Sequence, residues 1–166
     1  MEQNNADLQH QSPMGNLLLR TMAMPGDTNP AGDIFGGWIM SNLDISGAIL
    51  AREIAQGRVV TVAVDAMSFL KPVKVGDVVC CYGRCTHVGR TSLKINLELW
   101  VKKIYDLEIS QRSLVTKARY TYVAVDSNGK PRPLPDNANE VARQGIDADM
   151  AGLKADGSVK SDEGCE

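Results

Sequence analysis

One stretch of this chain repeats at helical period, and nearly everything else that is apolar repeats at the period of a strand. From Gly37 to Ala55, the residues Met40, Leu43, Asp44, Gly47, Ala48 and Ala51 recur at i, i+3 and i+4 and so share one face, with Ser41, Asn42 and Arg52 elsewhere. A helix of that span is ~28 Å long, and its small residues let it approach a second surface closely. Such a helix has to bury its stripe, and the segments around it supply the partner. Asn16 to Met24 reads as a strand closed by Pro25. Arg58 to Leu70 is almost continuously β-branched, which predicts a strand buried on both faces. Val78 to His87 follows. Ser92 to Lys102 then alternates, with Leu93, Ile95, Leu97, Leu99 and Val101 facing one way and Lys94, Asn96 and Glu98 the other. Val115 to Val125 is the last strand, with Tyr120 and Tyr122 on one face. The order of strand, long helix and a meander of strands predicts an α+β domain, an antiparallel sheet curled around a central helix. A single long helix and short connections exclude a Rossmann pattern.

The patterned zone runs from Gly15 to Pro135, and the domain is expected over 15–135. Residues 1–14 are polar and expected to be a flexible tail. Residues 136–166 are acidic and poor in large apolar side chains, so poor order is expected there, although Asn139 to Ala155 has the makings of a short helix. With 18 basic against 20 acidic residues the net charge is −2, which favours neither nucleic acid nor an anionic membrane as partner. No apolar run reaches the ~20 residues that span a bilayer, and the polar start lacks a signal core, so a cytoplasmic location is expected. The four cysteines are Cys80, Cys81, Cys85 and Cys165, the first two adjacent and pointing to opposite sides of a strand. With His10 and His87 the only histidines and no CxxC pair, no metal site is expected and reduced, packed thiols are.

Asp44 is the most informative residue, because a carboxylate on the helix face that meets the sheet costs several kcal/mol unless it is paired or hydrogen-bonded. Either it caps a loop or pairs with an arginine, or it opens into a cleft and acts on a substrate. Just before it, Asp33-Ile-Phe-Gly-Gly-Trp38 sets two glycines where the helix begins, and the first helical N–H groups have no internal acceptor. Such a terminus can hold a developing oxyanion, although glycine there also serves as a simple hinge. Asn29, in Thr28-Asn29-Pro30, is either a turn residue or an amide that orients water or polarises a carbonyl. Ser41, Ser46 and His87 form no triad. Arg58, Arg84, Arg90, Lys94, Lys102 and Lys103 sit near strand ends and together can hold phosphates through charge-assisted bonds.

The run from Leu19 to Ile49, containing Thr28-Asn-Pro-Ala-Gly-Asp-Ile-Phe-Gly-Gly-Trp38 and Ser41-Asn-Leu-Asp44, resembles the YciA-type hotdog acyl-CoA thioesterases. So do Gly57-Arg-Val-Val-Thr-Val62, Phe69-Leu-Lys-Pro-Val73, Val75-Gly-Asp-Val-Val-Cys-Cys-Tyr82, Asn96-Leu-Glu-Leu-Trp-Val-Lys-Lys103 and Tyr122-Val-Ala-Val-Asp126. The resemblance implies a hotdog fold with a five- to six-stranded sheet, paired edge to edge into dimers and then into a trimer of dimers, and no resident cofactor. It implies hydrolysis of acyl-CoA over a broad range of chain lengths. The family's catalytic aspartate falls on Asp44, its loop asparagine on Asn29 and its oxyanion amide on Gly37, beside Gly36. Coenzyme A would lie along Arg58, Val60 and Thr61 and the turn Gly89, Arg90, Thr91 and Ser92. Two other readings stand beside this one: an enoyl-CoA hydratase-like protein, for which only His87 offers a partner to the aspartate, and a non-catalytic acyl-CoA-binding regulator, for which a basic DNA-binding segment is missing.

Overall fold

In a computed structural model, which describes residues 12–65, 67–103 and 112–144, the helical stretch forms α1, Gly36–Ala55. It follows β1 (Asn16–Met22) and a 3-10 turn at Pro25–Asp27, and precedes β2 (Val59–Val64), β3 (Ser68–Phe69), β4 (Val78–Val88), β5 (Ser92–Lys102), β6 (Arg112–Ala124) and α2 (Ala138–Gln144). The six strands make one sheet in the order β1-β4-β5-β6-β2, with β3 also paired to β6. Every pairing is antiparallel. β4, β5 and β6 form the central meander, and α1 carries the chain across one face from the β1 edge to the β2 edge. The α+β expectation and the long central helix hold.

The buried face of α1 is Ile39, Leu43, Ser46, Gly47, Leu50, Ala51, Ile54 and Ala55. This stripe is rotated from the one drawn through Met40, Asp44 and Ala48. Met40 is exposed, and Asp44 and Ala48 are half-buried at its border. Large aliphatic side chains gain most from leaving water, at ~25 cal/mol per Å² of apolar surface, so Ile39, Leu50 and Ile54 set the rotation and the small residues follow. Beneath α1 lie Leu93, Ile95, Leu97 and Leu99 of β5, Val115, Tyr120 and Tyr122 of β6, and Val79 and Cys81 of β4. The helix ends in a left-handed cap at Gln56 (φ 49°), where the Gly57 and Gln56 N–H groups donate back to the Arg52 and Glu53 carbonyls. Arg132 closes the same end by donating from its guanidinium to the Ala55 carbonyl at 2.8 Å.

The opposite face of the sheet is partly covered as well. Cys80, Tyr82, Trp100 and Leu114 make a second cluster there, so Cys80 and Cys81 do point to opposite sides. Glu98 is on this outer face, opposite Leu97 and Leu99, and is buried there, at 2% exposed. Its Oε2 accepts from the Trp100 indole at 2.9 Å and from the Met14 N–H at 3.1 Å, and its Oε1 meets the Lys117 ammonium at 3.0 Å. A buried carboxylate is tolerated when donors of this kind surround it. β2 departs from what its sequence predicts. It is an edge strand whose exposure rises along its length, leaving Val62 and Val64 on the surface, and not a strand covered on both faces. Beyond the boundary expected at Pro135, α2 packs Ala138, Val141 and Ala142 against the main core. The tail expected over 1–14 falls mostly on residues 1–11, which lie outside the described residues, as do 145–166 with Cys165.

Leu97 is fully buried between the sheet and α1. Leu97→Ala is expected to destabilise the fold by about 2–5 kcal/mol, read as a drop in melting temperature against wild type at matched protein concentration.

Candidate active site

Asp44 sits on the third turn of α1 where the helix borders β2, and three features fix it. The Thr61 hydroxyl, reaching over from β2, donates to Oδ1 at 2.6 Å. The Tyr122 hydroxyl rises from β6 beneath the helix, 3.0 Å from the Asp44 backbone carbonyl and 3.3 Å from Oδ1. Thr61 and Tyr122 are register partners across the β2–β6 ladder, so one rung delivers both donors to one carboxylate. The third feature is that Asp44 has no cation partner among the described residues. The arginine pair considered from sequence is not made, and the residue is only half-buried. A polar, hydroxyl-held, half-open carboxylate of this kind can accept a proton from water or attack an electrophile.

Tyr122 was not among the residues expected at the site, although its shared face with Tyr120 was legible. The two rings stack at 6.2 Å, and Tyr120 donates to the Met40 carbonyl at 3.1 Å. Burial, reinforced by the Asp44 charge, pushes the Tyr120 phenol up to about 12. The same causes raise Tyr122 further, so both keep their protons at neutral pH. The thiols are similarly quiet: burial pushes Cys81 up to about 11 and raises Cys85, which disqualifies both as ready nucleophiles.

At the start of α1, Phe35 is the N-cap and gives no side-chain bond. Its carbonyl takes the Trp38 and Ile39 N–H groups, and the Gly36 and Gly37 N–H groups have no acceptor among the described residues. A Cβ on Gly37 would meet nothing within 4 Å, so the space over this turn is open. The Gly37 N–H and the Asp44 carboxylate are seven residues apart, ~10 Å along the axis. Asn29 lies in the loop leading in. Its Oδ1 accepts from Ala31 N at 2.9 Å and Asp33 N at 3.1 Å, which makes it a turn residue, as one of the two sequence readings had it. Those two bonds occupy the amide oxygen, and the NH₂ has no acceptor among the described residues. An apolar cleft of about 350 Å³, lined by Ile34, Gly36, Ile39, Phe69 and Val73, opens beside the helix start.

The segment Arg58 to Thr61 and the turn Gly89 to Ser92 come together at one end of the sheet. Ser92 pairs with Val123, and Val123 pairs with Val60. The Thr91 carbonyl accepts from Ala124 N at 2.9 Å, and the Arg58 carbonyl accepts from Val125 N at 3.0 Å. Arg58 and Arg90 are both exposed there. The basic group read from the sequence is otherwise dispersed: Lys102 and Lys103 lie at the far end of β5 from Ser92, ~33 Å along an 11-residue strand. Among the described residues no cluster of three or more His, Cys, Asp or Glu converges on a metal-sized site, and no helix is long and apolar enough to cross a membrane.

Known proteins carry the same pattern. A family model for the thioesterase superfamily matches residues 31–107. The acyl-CoA thioester hydrolase YciA of Escherichia coli is 64% identical over 126 residues, covering 76% of this chain and 96% of its own. Among solved structures, HI0827, a hexameric broad specificity acyl-coenzyme A thioesterase, is similar at TM-score 0.75 and 58% identity over 82% of this chain and 92% of that one. The hexameric thioesterase y2039 of Yersinia pestis is similar at TM-score 0.71 and 64% identity, over 75% and 99%. With one helix against a six-stranded antiparallel sheet and this degree of identity, the chain belongs to the YciA-type acyl-CoA thioester hydrolases of the hotdog-fold thioesterase superfamily.

Proposed function

We propose that this protein hydrolyses acyl-CoA thioesters to the free acid and coenzyme A over a range of chain lengths, with Asp44 as the central carboxylate. The observation that carries this reading is the state of Asp44: held by two hydroxyls, unpaired by any cation among the described residues, and half-open at the border of α1 and β2. Family membership supplies the substrate class.

The acyl carbonyl sits at the start of α1, where the Gly37 N–H stabilises the negative charge that develops on oxygen. A water oxygen bonds to the acyl carbon, the C–S bond breaks, and the CoA thiolate leaves and is protonated. Asp44 either takes the proton from that water or attacks the carbonyl itself and is released by water in a second step. Asn29 donates from its NH₂ to the water or the thioester. The ~10 Å between Gly37 and Asp44 on one helix is too long for both to touch one carbonyl, so the reading pairs the Gly37 amide with Asp44 of the partner subunit. The unpaired β2 edge, with Val62 55% exposed, supports a sheet that continues into a second protomer. A trimer of such dimers is the proposed assembly, in keeping with the hexameric relatives. Arg58, Val60 and Thr61 together with Gly89, Arg90, Thr91 and Ser92 border the proposed coenzyme A strip, where the two exposed arginines suit its phosphates. Coenzyme A enters as part of the substrate and no resident cofactor is invoked. A cytoplasmic setting belongs to this reading, supported by the free Cys80, Cys81 and Cys85.

Release of free thiol from short, medium and long acyl-CoAs tests the reading, with wild type and Asp44→Ala side by side. Asp44→Ala is expected to lower kcat by at least about 100-fold with its oligomer intact, and hydrolysis that survives the substitution sinks the mechanism. Asn29→Ala is expected to lose about 10-fold or more in kcat. Val62→Lys, a charge on the open edge, is expected to give smaller particles by light scattering and a matching loss of activity. Single turnover in oxygen-18 water separates the two roles of Asp44, since label entering the carboxylate excludes a pure general base.

A further inference from the structure

We infer that Tyr122 is a positioning residue for the hydrolysis: its buried phenol, admitted beneath α1 by the missing side chain of Gly47, holds the Asp44 carboxylate from the sheet side. The inference rests on Asp44 being the catalytic carboxylate. Tyr122 is fully buried, and its hydroxyl lies 3.0 Å from the Asp44 carbonyl and 3.3 Å from Oδ1. A Cβ on Gly47 would stand 2.3 Å from that hydroxyl oxygen and 2.9 Å from the ring carbon bearing it, so any other residue at position 47 displaces the phenol. The ring is seated by the Tyr120 stack and by pairing with Leu93 on one side and Thr61 on the other.

A phenol has one proton to give, and here it has two acceptors on the same residue. When Asp44 is ionised the carboxylate is the stronger acceptor, and when it is protonated the backbone carbonyl takes the bond. The hydroxyl therefore favours the charged carboxylate without binding it so tightly that its lone pairs are used up. The groups around Asp44 are the neutral Thr61 from β2, Tyr122 and Tyr120 from β6, and Cys81 from β4 beyond Tyr120. All three titratable neighbours are pushed upward and stay uncharged across the working range.

Tyr122→Phe tests this. Removing a donor to the charged form disfavours that form, so the acid limb of kcat/KM is expected to move to higher pH. At the optimum kcat is expected to fall about 10-fold, with KM within about 2-fold of wild type. A merely structural role would move the melting temperature and not the acid limb. Incorporating 3-fluorotyrosine at position 122 keeps the ring and makes the phenol a stronger donor, so there the acid limb is expected to move to lower pH. This second variant decides the matter if Tyr122→Phe does not fold. An acid limb unmoved in the folded variants overturns the inference while Asp44→Ala remains inactive. An active Asp44→Ala overturns the mechanism and this inference with it.

Discussion

Everything at the site depends on the contact between the buried stripe of α1 and the concave face of β4, β5 and β6. By itself the helix is a poor one. It starts at two glycines, has a third at Gly47, and lacks a side-chain cap at Phe35. The interior Gly47 costs about 1 kcal/mol against alanine, and most of a helix's stability in a folded protein comes from packing its apolar face. What holds it is burial of Ile39, Leu43, Leu50 and Ile54 against Ile95, Leu97 and Leu99, each aliphatic side chain contributing ~1.5–3 kcal/mol. Because those side chains dictate the rotation of α1, they also decide that Asp44 lands at the rim.

The three glycines then have distinct reasons. Gly47 is demanded by packing, since the Tyr122 hydroxyl fills the space of its side chain. At Gly36 a side chain would press on the Phe69 ring at 3.3 Å. At Gly37 nothing in the chain would be touched and the backbone needs no left-handed conformation, so packing within this chain does not explain it. In the proposed reading it is close approach of the thioester carbonyl to the helix backbone that asks for glycine there, with the N–H groups as its donors. A helix start weak in intrinsic terms is tolerable because the far end is so firmly closed, by the left-handed Gln56 cap and by Arg132 on the Ala55 carbonyl.

Much of this was legible in the sequence, and the failures have physical causes. Helix and strand periods gave α1 and β5 closely, because both elements bury one continuous face. The rotation of α1 was misread because small residues were weighted equally with large ones. Alternation placed Glu98 on the face opposite Leu97 and Leu99, but could not anticipate that Trp100 and the Met14 backbone cover it there. The β-branched run at Val59–Val64 was read as doubly buried, and in one chain it is an edge. Such a composition belongs to a covered strand, so the misreading itself points to what covers it outside the single chain. Tyr122 went unnoticed because a tyrosine in a core strand is ordinary; only its distance to Asp44 distinguishes it.

In the proposed reading, the spacing of Gly37 and Asp44 is the reason the site takes two copies of the chain. A carbonyl at the helix start must meet its oxyanion donor at about 3 Å, and its attacking group from another direction at similar range. Two groups separated by about two turns of one helix cannot meet that condition, because a helix is rigid and its residues rise 1.5 Å each. Bending α1 would sacrifice the stripe that holds it. A second helix related by a two-fold axis can meet the condition without bending anything, since it sets the middle of one helix near the start of the other. The exposed Val62 and Val64 lie on the edge where such an axis would act, and Thr61, between Val60 and Val62 on that edge, already grips Asp44. In the proposed reading, pairing of the β2 edges and alignment of the carboxylate are therefore one event: the strand that joins two protomers is the strand that orients the catalytic group.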